Sequence, residues 1–400
     1  MNKPRIFIAI HYMELGGAEI SLIGLLNALD TECYDVDLFI YKHQGELMKL
    51  IPDKVHILPE IKEYAHIESP MIDCLKNGCW KLLWKRLKTK VIYKKYVHKF
   101  HPKDGSAIFQ ILADEVTPVL PSLFDRGTYD LAINFLGMHN IVLEKVRAKK
   151  KIAWIHTDYS QVDVAMEREL KAWSQFDKIV SISEKVTQTF LLRYPSLASK
   201  IVLIENILSP LFVRQRSSAF VFHYPNPNAI NLLSVGRFSY AKNFDNVPDI
   251  CRRIREAGIN AYWYLIGFGG EETLIRQKIE EANMQDYVIL LGKQSNPYPY
   301  MAACDLYVQP SRFEGKSVTV REAQMLCKPV VITNYATSGS QVRQGKDGVI
   351  VPLDNAGCAA GIVDFICDKY LQERIVNYLH THDYGNEKEV EKIYQMLNVG

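Results

Sequence analysis

The stretch that decides the fold is SRFEGKSVTVRE, residues 311–322. A short apolar run at 306–308 precedes it and a helical pattern of apolar residues at 323–326 follows it, which predicts a loop between a strand and a helix. Glu314 then lies in the loop, and Glu322 lies in or near the first turns of the helix. On one continuous helix these positions would be about 80° apart around the axis, whereas a loop followed by a helix lets both carboxylates face one site.

The backbone at the start of this helix is predicted to bind an anion. Gly315, Lys316, Ser317 and Val318 would present free N–H groups at the positive end of the helix dipole. With two carboxylates close by, this arrangement suits a ligand that carries a diphosphate and several hydroxyls. The alternative is structural, because the segment 319–322 also fits a capping box in which the glutamate caps its own helix.

The composition describes a globular chain of more than one domain. Its 400 residues predict two or three domains, and 48% hydrophobic with 23% charged residues is ordinary for a globular protein. The net charge of +3 argues neither for nor against a polyanionic partner. None of the eight cysteines has C-x-x-C or zinc spacing, so we expect reduced thiols and a cytoplasmic location. The N-terminus is predicted to be a first strand rather than a signal peptide, and no apolar run is long enough to span a membrane.

Two places in the N-terminal half carry the features of a site. The predicted strand at 5–10 leads into a turn with Gly16 and Gly17 and then into a helix, which is typical of a phosphate-binding βα unit, although the G-x-G-x-x-G fingerprint is absent. The predicted strand at 152–155 ends at His156, and α/β sheets keep their sites at the carboxyl ends of strands. A helix-start turn and a hydrogen-bonded structural histidine are the alternatives.

A similar pattern starts again after a linker, predicted at 208–227, that contains proline and serine. A strand at 229–235 is followed by the turn GRFSYAKN at 236–243. Arg237 and Lys242 flank this turn. They could clamp a diphosphate in place of a metal ion and neutralise the charge that develops as a nucleotide leaves.

These motifs resemble the retaining glycosyltransferases of family 4, which have the GT-B fold. The resemblance rests on Glu-x7-Glu after Ser-x-x-Glu-Gly, on Gly-Arg-(x)n-Lys, on Gly-Gly-Ala-Glu and on His156, and it is strongest over 229–353. It implies an α/β chain of two Rossmann-like, doubly wound domains facing across a cleft. An acceptor domain would cover 1–208 and a nucleotide-sugar donor domain 209–384, with a helix within 385–400 crossing back to the first domain.

The resemblance also implies an activity: retaining transfer of a hexosyl group from a nucleotide-diphosphate sugar to an acceptor hydroxyl, without a metal or a cofactor. Glu314 would bind hydroxyls of the transferred sugar, Glu322 would bind the ribose hydroxyls, and His156 would contact the sugar from the opposite domain. Arg237, Lys242 and the N–H groups of 315–318 would hold the diphosphate. The remaining donor-binding positions are Gly16, Gly17, Gly267, Gln294 and Asn296.

One segment of the N-terminal half is strongly basic. Residues 74–103 contain no Asp or Glu but carry ten Lys or Arg, interleaved with apolar and aromatic residues. On a helix, positions 80, 83/84, 87 and 91 form one apolar face with a cationic surround, which is typical of a helix lying on anionic lipid. This predicts that 76–103 contact an anionic membrane surface, and it favours a lipid-linked or surface-polysaccharide acceptor and a peripheral position on the inner face of the cell membrane. A solvated surface helix is the alternative, and no recognition motif supports nucleic-acid binding.

Three other functions stay open from the sequence. A nucleotide-sugar 2-epimerase would share the GT-B fold. A metal-dependent transferase with the GT-A fold would use Asp35 and Asp37, which alternate onto one face of a predicted strand. A non-catalytic membrane-associated partner would depend on the basic segment alone.

Overall fold

The computed structural model describes residues 3–14, 16–160, 162–314 and 317–398. The chain divides into two compact units. The first unit contains Met1–Ile207 and Asn386–Gly400, and the second unit contains Leu208–Gly385. Each unit has its own parallel sheet.

The first unit is built on a seven-stranded parallel sheet. Its strands are β1 (Arg5–Ile10), β2 (Asp35–Ile40), β3 (His56–Ile57), β4 (Thr128–Leu136), β5 (Arg147–Ile155), β6 (Lys178–Ser181) and β7 (Ile201–Leu203). Their order in the sheet is β3-β2-β1-β4-β5-β6-β7, so the direction of winding reverses between β1 and β4. Residues 6–10 of β1 are all fully buried, and since successive strand residues point to opposite faces, both faces of the sheet are covered.

Helices connect these strands. In chain order they are α1 (Gly17–Ala28), α2 (Lys62–Ala65), α3 (Met71–Lys76), α4 (Trp80–Phe100), α5 (Ala107–Val116), α6 (His139–Lys145), α7 (Met166–Trp173) and α8 (Glu184–Arg193). Within the described residues, no helix of the chain is long and apolar enough to cross a membrane.

The second unit is built on a six-stranded parallel sheet. Its strands are β8 (Ile230–Val235), β9 (Ala261–Ile266), β10 (Val288–Gly292), β11 (Leu306–Gln309), β12 (Val330–Thr333) and β13 (Val349–Val351). Their order is β10-β9-β8-β11-β12-β13, so the winding reverses between β8 and β11. The helices of this unit are α9 (Pro210–Ser217), α10 (Val247–Glu256), α11 (Glu272–Glu281), α12 (Tyr298–Ala303), α13 (Val318–Met325), α14 (Ser338–Gln341), α15 (Asn355–Cys367) and α16 (Lys369–Thr381).

Helix α9 occupies part of the segment at 208–227 that the sequence predicts to be a linker. The Ser209 hydroxyl caps this helix by accepting the N–H of Phe212 at 3.3 Å. Val213 is buried in a small apolar cluster with Tyr298 and Met325. This part of the segment is therefore packed into the second unit, and Pro210 is the first residue of the helix, where proline is tolerated.

The last helix, α17 (Glu391–Asn398), packs on the first unit. The ring of Tyr394 stacks on Tyr34 with centroids 4.6 Å apart and an interplanar angle of 5°. The Tyr394 hydroxyl accepts the backbone N–H of Asp30 at 2.7 Å. Lys150 donates from Nζ to the carbonyl of Met396 at 2.9 Å. These contacts hold α17 against the segment that precedes β2 and against β5.

Replacing Tyr394 should test how much these contacts of α17 contribute to the stability of the protein. We expect Tyr394→Ala to lower the free energy of unfolding by about 2 kcal/mol, because it removes both the ring stacking and a hydrogen bond. Tyr394→Phe keeps the ring and should lose only about 1 kcal/mol. Urea unfolding followed by tryptophan fluorescence measures both values, and equal stability of Tyr394→Ala and the wild type would show that the contact contributes nothing.

Candidate active site

The candidate site in the second unit lies at the carboxyl ends of the strands. The loop 236–243 follows β8, Gly267 follows β9, Gln294 and Asn296 follow β10, and the loop 310–314 follows β11. Open α/β sheets bind ligands at this edge, at the point where the strand order reverses. Here the reversal brings the loops after β8 and β11 side by side.

An ion pair joins these two loops. Lys242 follows β8 and Glu314 follows β11, and the distance from Nζ to Oε1 is 2.5 Å, with both side chains mostly buried. The Ser311 hydroxyl donates to the same carboxylate oxygen at 2.7 Å. Gln309 donates from Nε2 to the Ser311 hydroxyl at 2.8 Å. Glu314 is thus held by a cation and a hydroxyl that is itself fixed from the end of β11.

Arg312, which was not predicted as a site residue, joins the two loops by hydrogen bonds. Its guanidinium makes two hydrogen bonds to the Asp245 carboxylate, at 2.9 and 2.7 Å. It also donates to the Tyr240 carbonyl at 2.8 Å, and its backbone N–H donates to the Ala241 carbonyl at 2.8 Å. The signal available in the sequence was an arginine two residues before the loop glutamate, together with an aspartate just after the partner loop. Arg312 is therefore a positioning residue for Glu314.

The two predicted diphosphate-binding cations have different surroundings. The charge of Lys242 is matched by Glu314, as described above. The side chain of Arg237 is exposed, and its guanidinium has no ion-pair partner within the part of the chain that the structure describes. An anionic ligand would therefore meet one open cation and one that is already paired.

Glu322 is buried beneath the loop in α13. Its relative exposure is 4%. The hydroxyl of Tyr298, at the start of α12, donates to Glu322 Oε1 at 2.7 Å. Burial raises the pKa of Glu322 to about 7, against a smaller opposite effect of the Tyr298 hydrogen bond. Tyr298 was not predicted, because nothing local marks a tyrosine 24 residues earlier in the chain as the partner of this carboxyl group.

The start of α13 is already engaged by a side chain. The N–H of Ser317 donates to Gln341 Oε1 at 2.9 Å, and Gln341 Nε2 donates to the Ser317 carbonyl at 2.5 Å. The Tyr335 hydroxyl holds the same Gln341 oxygen at 2.9 Å. Val318 is the first residue of the helix. The predicted anion-binding positions 315 and 316 lie outside the described residues.

Gly267 allows two loops of the site to approach closely. Its φ is +154°, and a Cβ atom there would lie 1.9 Å from the Gly236 carbonyl oxygen. Gly269 has a φ of +158°, and a Cβ atom there would lie 2.3 Å from the Phe238 carbonyl oxygen. Only glycine fits either position, so these glycines set the spacing between the loops after β8 and β9.

The side chains of Gln294 and Asn296 stabilise their own surroundings. Gln294 donates from Nε2 to the Leu291 carbonyl at 2.8 Å. Asn296 is buried and donates from Nδ2 to the Arg216 carbonyl at 2.8 Å. Both amide groups thus donate to backbone carbonyls, whereas Asn296 Oδ1 has no hydrogen-bond partner within the described residues.

The remaining predicted positions belong to the first unit. Gly16 caps α1 and Gly17 is its first residue, and a Cβ on Gly16 would meet the buried carboxylate of Glu19 at 2.2 Å. His156 follows β5, and burial lowers its pKa to about 4, with smaller opposite effects of the Phe135 backbone and of Glu19. Its Nε2 has no hydrogen-bond partner within the described residues. His156 is therefore neutral at neutral pH.

The carboxylates considered for a GT-A metal site have another role. Asp37 accepts hydrogen bonds from Arg5 at 3.0 Å and from the Tyr129 hydroxyl at 2.7 Å, and it contacts His56 Nδ1 at 2.7 Å. Asp35 is exposed. Both oxygens of Asp37 are thus used in tying β1, β3 and β4 to β2.

The second unit is similar to known proteins. Residues 218–381 match the family Glycosyl transferases group 1. Over 126 residues the chain is 32% identical to the N-acetylgalactosamine-N,N'-diacetylbacillosaminyl-diphospho-undecaprenol 4-alpha-N-acetylgalactosaminyltransferase of Campylobacter jejuni, a match covering 31% of this chain and 33% of that protein. It is 23% identical over 171 residues to the amylovoran biosynthesis glycosyltransferase AmsD of Erwinia amylovora, covering 42% of this chain and 48% of that protein. The matches thus span a third to about half of the length of these relatives.

Solved structures of similar fold cover the whole chain. Anabaena HepE in complex with UDP and glucose superimposes with a TM-score of 0.64 at 15% identity, covering 99% of both chains. A variant of S. aureus TarM, in complex with Fondaparinux, alpha-GlcNAc-glycerol and UDP, gives a TM-score of 0.66 at 12% identity and covers 99% of this chain and 100% of that chain. With the two parallel sheets, these likenesses confirm the predicted two-domain α/β GT-B fold.

The raised pKa of Glu322 should appear in the pH dependence of stability. Because the folded pKa of about 7 lies above the usual 4.5, the native state holds an extra proton between these values. The neutral carboxyl group of Glu322 therefore makes its full contribution to the free energy of unfolding below pH 4.5, and this contribution is lost as the pH rises through 7. In the wild type the urea midpoint of unfolding should fall over this pH range. In Glu322→Gln the midpoint should fall less, because glutamine does not titrate.

The matched control is Glu280→Gln, which changes an exposed glutamate of α11 in the same unit. This control should follow the wild type at every pH. If Glu322→Gln and the wild type lost stability in parallel between pH 4.5 and 7, the burial of a neutral carboxyl at this position would be contradicted.

Proposed function

We propose that the protein is a retaining glycosyltransferase of family 4 that moves a hexosyl group from a UDP-sugar to a hydroxyl of a lipid-linked or surface glycan, without a metal ion. The observation that carries this proposal is the Lys242–Glu314 pair, placed where the strand order reverses in a unit that matches Glycosyl transferases group 1. The relatives named above are glycosyltransferases, which favours transfer over 2-epimerisation or a non-catalytic role.

The donor proposal rests on charge. HepE and TarM were solved with UDP, which suggests uracil as the base here. A diphosphate would compete with Glu314 for the Lys242 ammonium and would also draw on the open cation of Arg237. Both cations would then lie where negative charge develops as UDP leaves, and a partly buried site makes such charges more effective than they are in water.

The carboxylate of the pair would serve the other half of the reaction. Once Lys242 turns to the diphosphate, Glu314 is free to accept hydrogen bonds from the hydroxyls of the transferred sugar. Its negative charge would also stabilise the positive charge that develops on that sugar in the transition state. The pair thus separates the two charges that form when the glycosidic bond breaks, with the cation on the leaving group and the carboxylate by the sugar.

Retention would follow from attack on the face that the leaving group departs from. In this proposal no carboxylate forms a covalent bond with the sugar, and the leaving phosphate helps to take the proton of the acceptor hydroxyl. His156 is neutral at neutral pH, so it would contact the sugar as a hydrogen-bonding group rather than donate a proton as a general acid. Glu322 would accept hydrogen bonds from the ribose hydroxyls in place of that from Tyr298.

The acceptor proposal rests on the relatives and on the basic helix. The name of the Campylobacter jejuni relative includes a diphospho-undecaprenol, and that of AmsD includes amylovoran biosynthesis. A lipid-linked acceptor would require the protein to work at the inner face of the cell membrane as a peripheral protein. The lysines of helix α4 would supply the positive charge for binding to an anionic membrane surface.

Removing Lys242 should weaken nucleotide binding. We expect Lys242→Met to lower the affinity for UDP by about tenfold or more, because a charge-assisted hydrogen bond to a phosphate contributes roughly 1.5–3 kcal/mol. Isothermal titration of the full chain with UDP measures the change. Lys369→Met, an exposed lysine at the start of α16, is the control and should bind UDP like the wild type. Equal affinities of all three proteins would refute the proposed clamp.

Replacing Glu314 should separate binding from chemistry. Glu314→Gln removes the carboxylate charge, so we expect release of UDP from the sugar nucleotide to slow by about a hundredfold while UDP itself still binds.

The same assay tests metal independence and retention. In excess EDTA the wild-type rate should be unchanged, and the anomeric signal of the released sugar in early NMR spectra should match that of the donor. Loss of activity on chelation, or an inverted product, would contradict metal independence or retention respectively.

A further inference from the structure

Helix α4 has one face that packs on the first unit and one face that is exposed, and its basic residues are divided between them. Leu82 and Thr89 are buried against the first unit. On the sides of this face, Lys85 and Lys88 form ion pairs with Glu115, at 3.2 and 2.9 Å. Next to them Arg86 donates to the carbonyl of His66 at 3.0 Å. Part of the positive charge of the segment therefore attaches the helix to its own unit.

The outward face of α4 exposes a row of apolar side chains. Trp80 is 56% exposed, Trp84 71%, Leu87 40% and Val91 57%. Their spacing of four, three and four residues places them within about 60° of each other around the helix, so they form one stripe along its length. Single exposed apolar residues are common on soluble proteins, but a continuous row with two tryptophans is not, and such patches mark surfaces that bind something.

Exposed lysines border this stripe on both sides. At about 100° per residue, Lys81 and Lys95 lie on one side of it and Lys90 and Lys94 on the other. All four are exposed, and no ion pair involves them within the described residues. No acidic residue occurs between 74 and 103 to neutralise them. The stripe therefore combines an apolar centre with uncompensated positive edges.

We infer that the face formed by Trp80, Trp84, Leu87 and Val91 with its four bordering lysines docks onto an anionic lipid bilayer. The inference deepens the proposed function by naming the surface that would bring the enzyme to a lipid-linked acceptor. The apolar row enters the boundary between headgroups and acyl chains, where tryptophan rings are favoured. The lysines extend their ammonium groups to the lipid phosphates on either side.

The charge pattern selects a membrane over a nucleic acid. A nucleic-acid phosphate chain calls for cations along the centre of the contact, whereas here the centre is apolar and the cations form its borders. The structure also narrows the sequence prediction. Lys85, Arg86 and Lys88 are engaged with the protein itself, so the docking charge comes from Lys81 and the three lysines at 90, 94 and 95.

Vesicle flotation with the full chain tests this surface. We expect binding to vesicles of phosphatidylcholine mixed with phosphatidylglycerol, little binding to phosphatidylcholine alone, and release at high salt. Trp80→Ser with Trp84→Ser should lower the partition coefficient by about tenfold or more. Neutralising the four lysines to Gln should lower it by roughly fivefold for each lysine removed.

Matched variants control for unspecific effects. Leu192→Ser changes a side chain of α8 that is 84% exposed in the same unit, and it should leave vesicle binding unchanged. A charge control replaces four exposed lysines elsewhere in the first unit by Gln; they are Lys49, Lys54, Lys171 and Lys185. This control should retain most of the binding, because its lysines border no apolar row.

UDP release from the soluble donor separates this inference from the proposed function. The tryptophan and lysine variants should keep the wild-type rate and melting temperature, since they change only exposed side chains. Docking through this face would be refuted if the wild type failed to float with anionic vesicles, or if the variants floated equally well. Tighter binding of the wild type to double-stranded DNA than to vesicles, lost in the lysine variant, would instead assign the face to nucleic acid.

Discussion

The contact between Lys242 and Glu314 is the interaction on which the candidate site depends. It joins the loops after β8 and β11 at the place where the second sheet reverses its winding. A mostly buried ion pair gains little net stability, because desolvation offsets much of the attraction between the charges. In the proposed function the pair would act in binding, since a donor with an anionic diphosphate and a sugar rich in hydroxyls would offer each member of the pair a new partner.

The surrounding structure keeps this pair in place. Arg312 binds Asp245 and the backbone of the loop after β8, so hydrogen bonds join the two loops. Gly267 lets the next loop approach within a distance that any Cβ atom would prevent. Because all three loops start from strands of one buried sheet, the side chains of the candidate site are positioned by the core of the unit. The proposed stabilisation of a transition state would require such fixed positions.

Much of the fold, but less of the site, could be predicted from the sequence. Apolar runs and glycine turns are local signals, and they placed the strand, loop and helix around Glu314 and Glu322 where the structure has them. The partners of the site residues depend on tertiary contacts, which leave no local trace. Tyr298 reaches Glu322 and Gln341 reaches Ser317 across 24 residues each, and neither contact was predicted. The roles of the site residues stay predictions until a donor is seen in place.

A crystal structure of the chain with an intact UDP-sugar is the most direct test of the central claim. We expect Lys242 to leave Glu314 and to lie within hydrogen-bonding distance of a diphosphate oxygen, about 2.7–2.9 Å, with the Glu314 carboxylate against the sugar hydroxyls. A donor bound away from the ends of β8 and β11, with the ion pair unbroken, would contradict it.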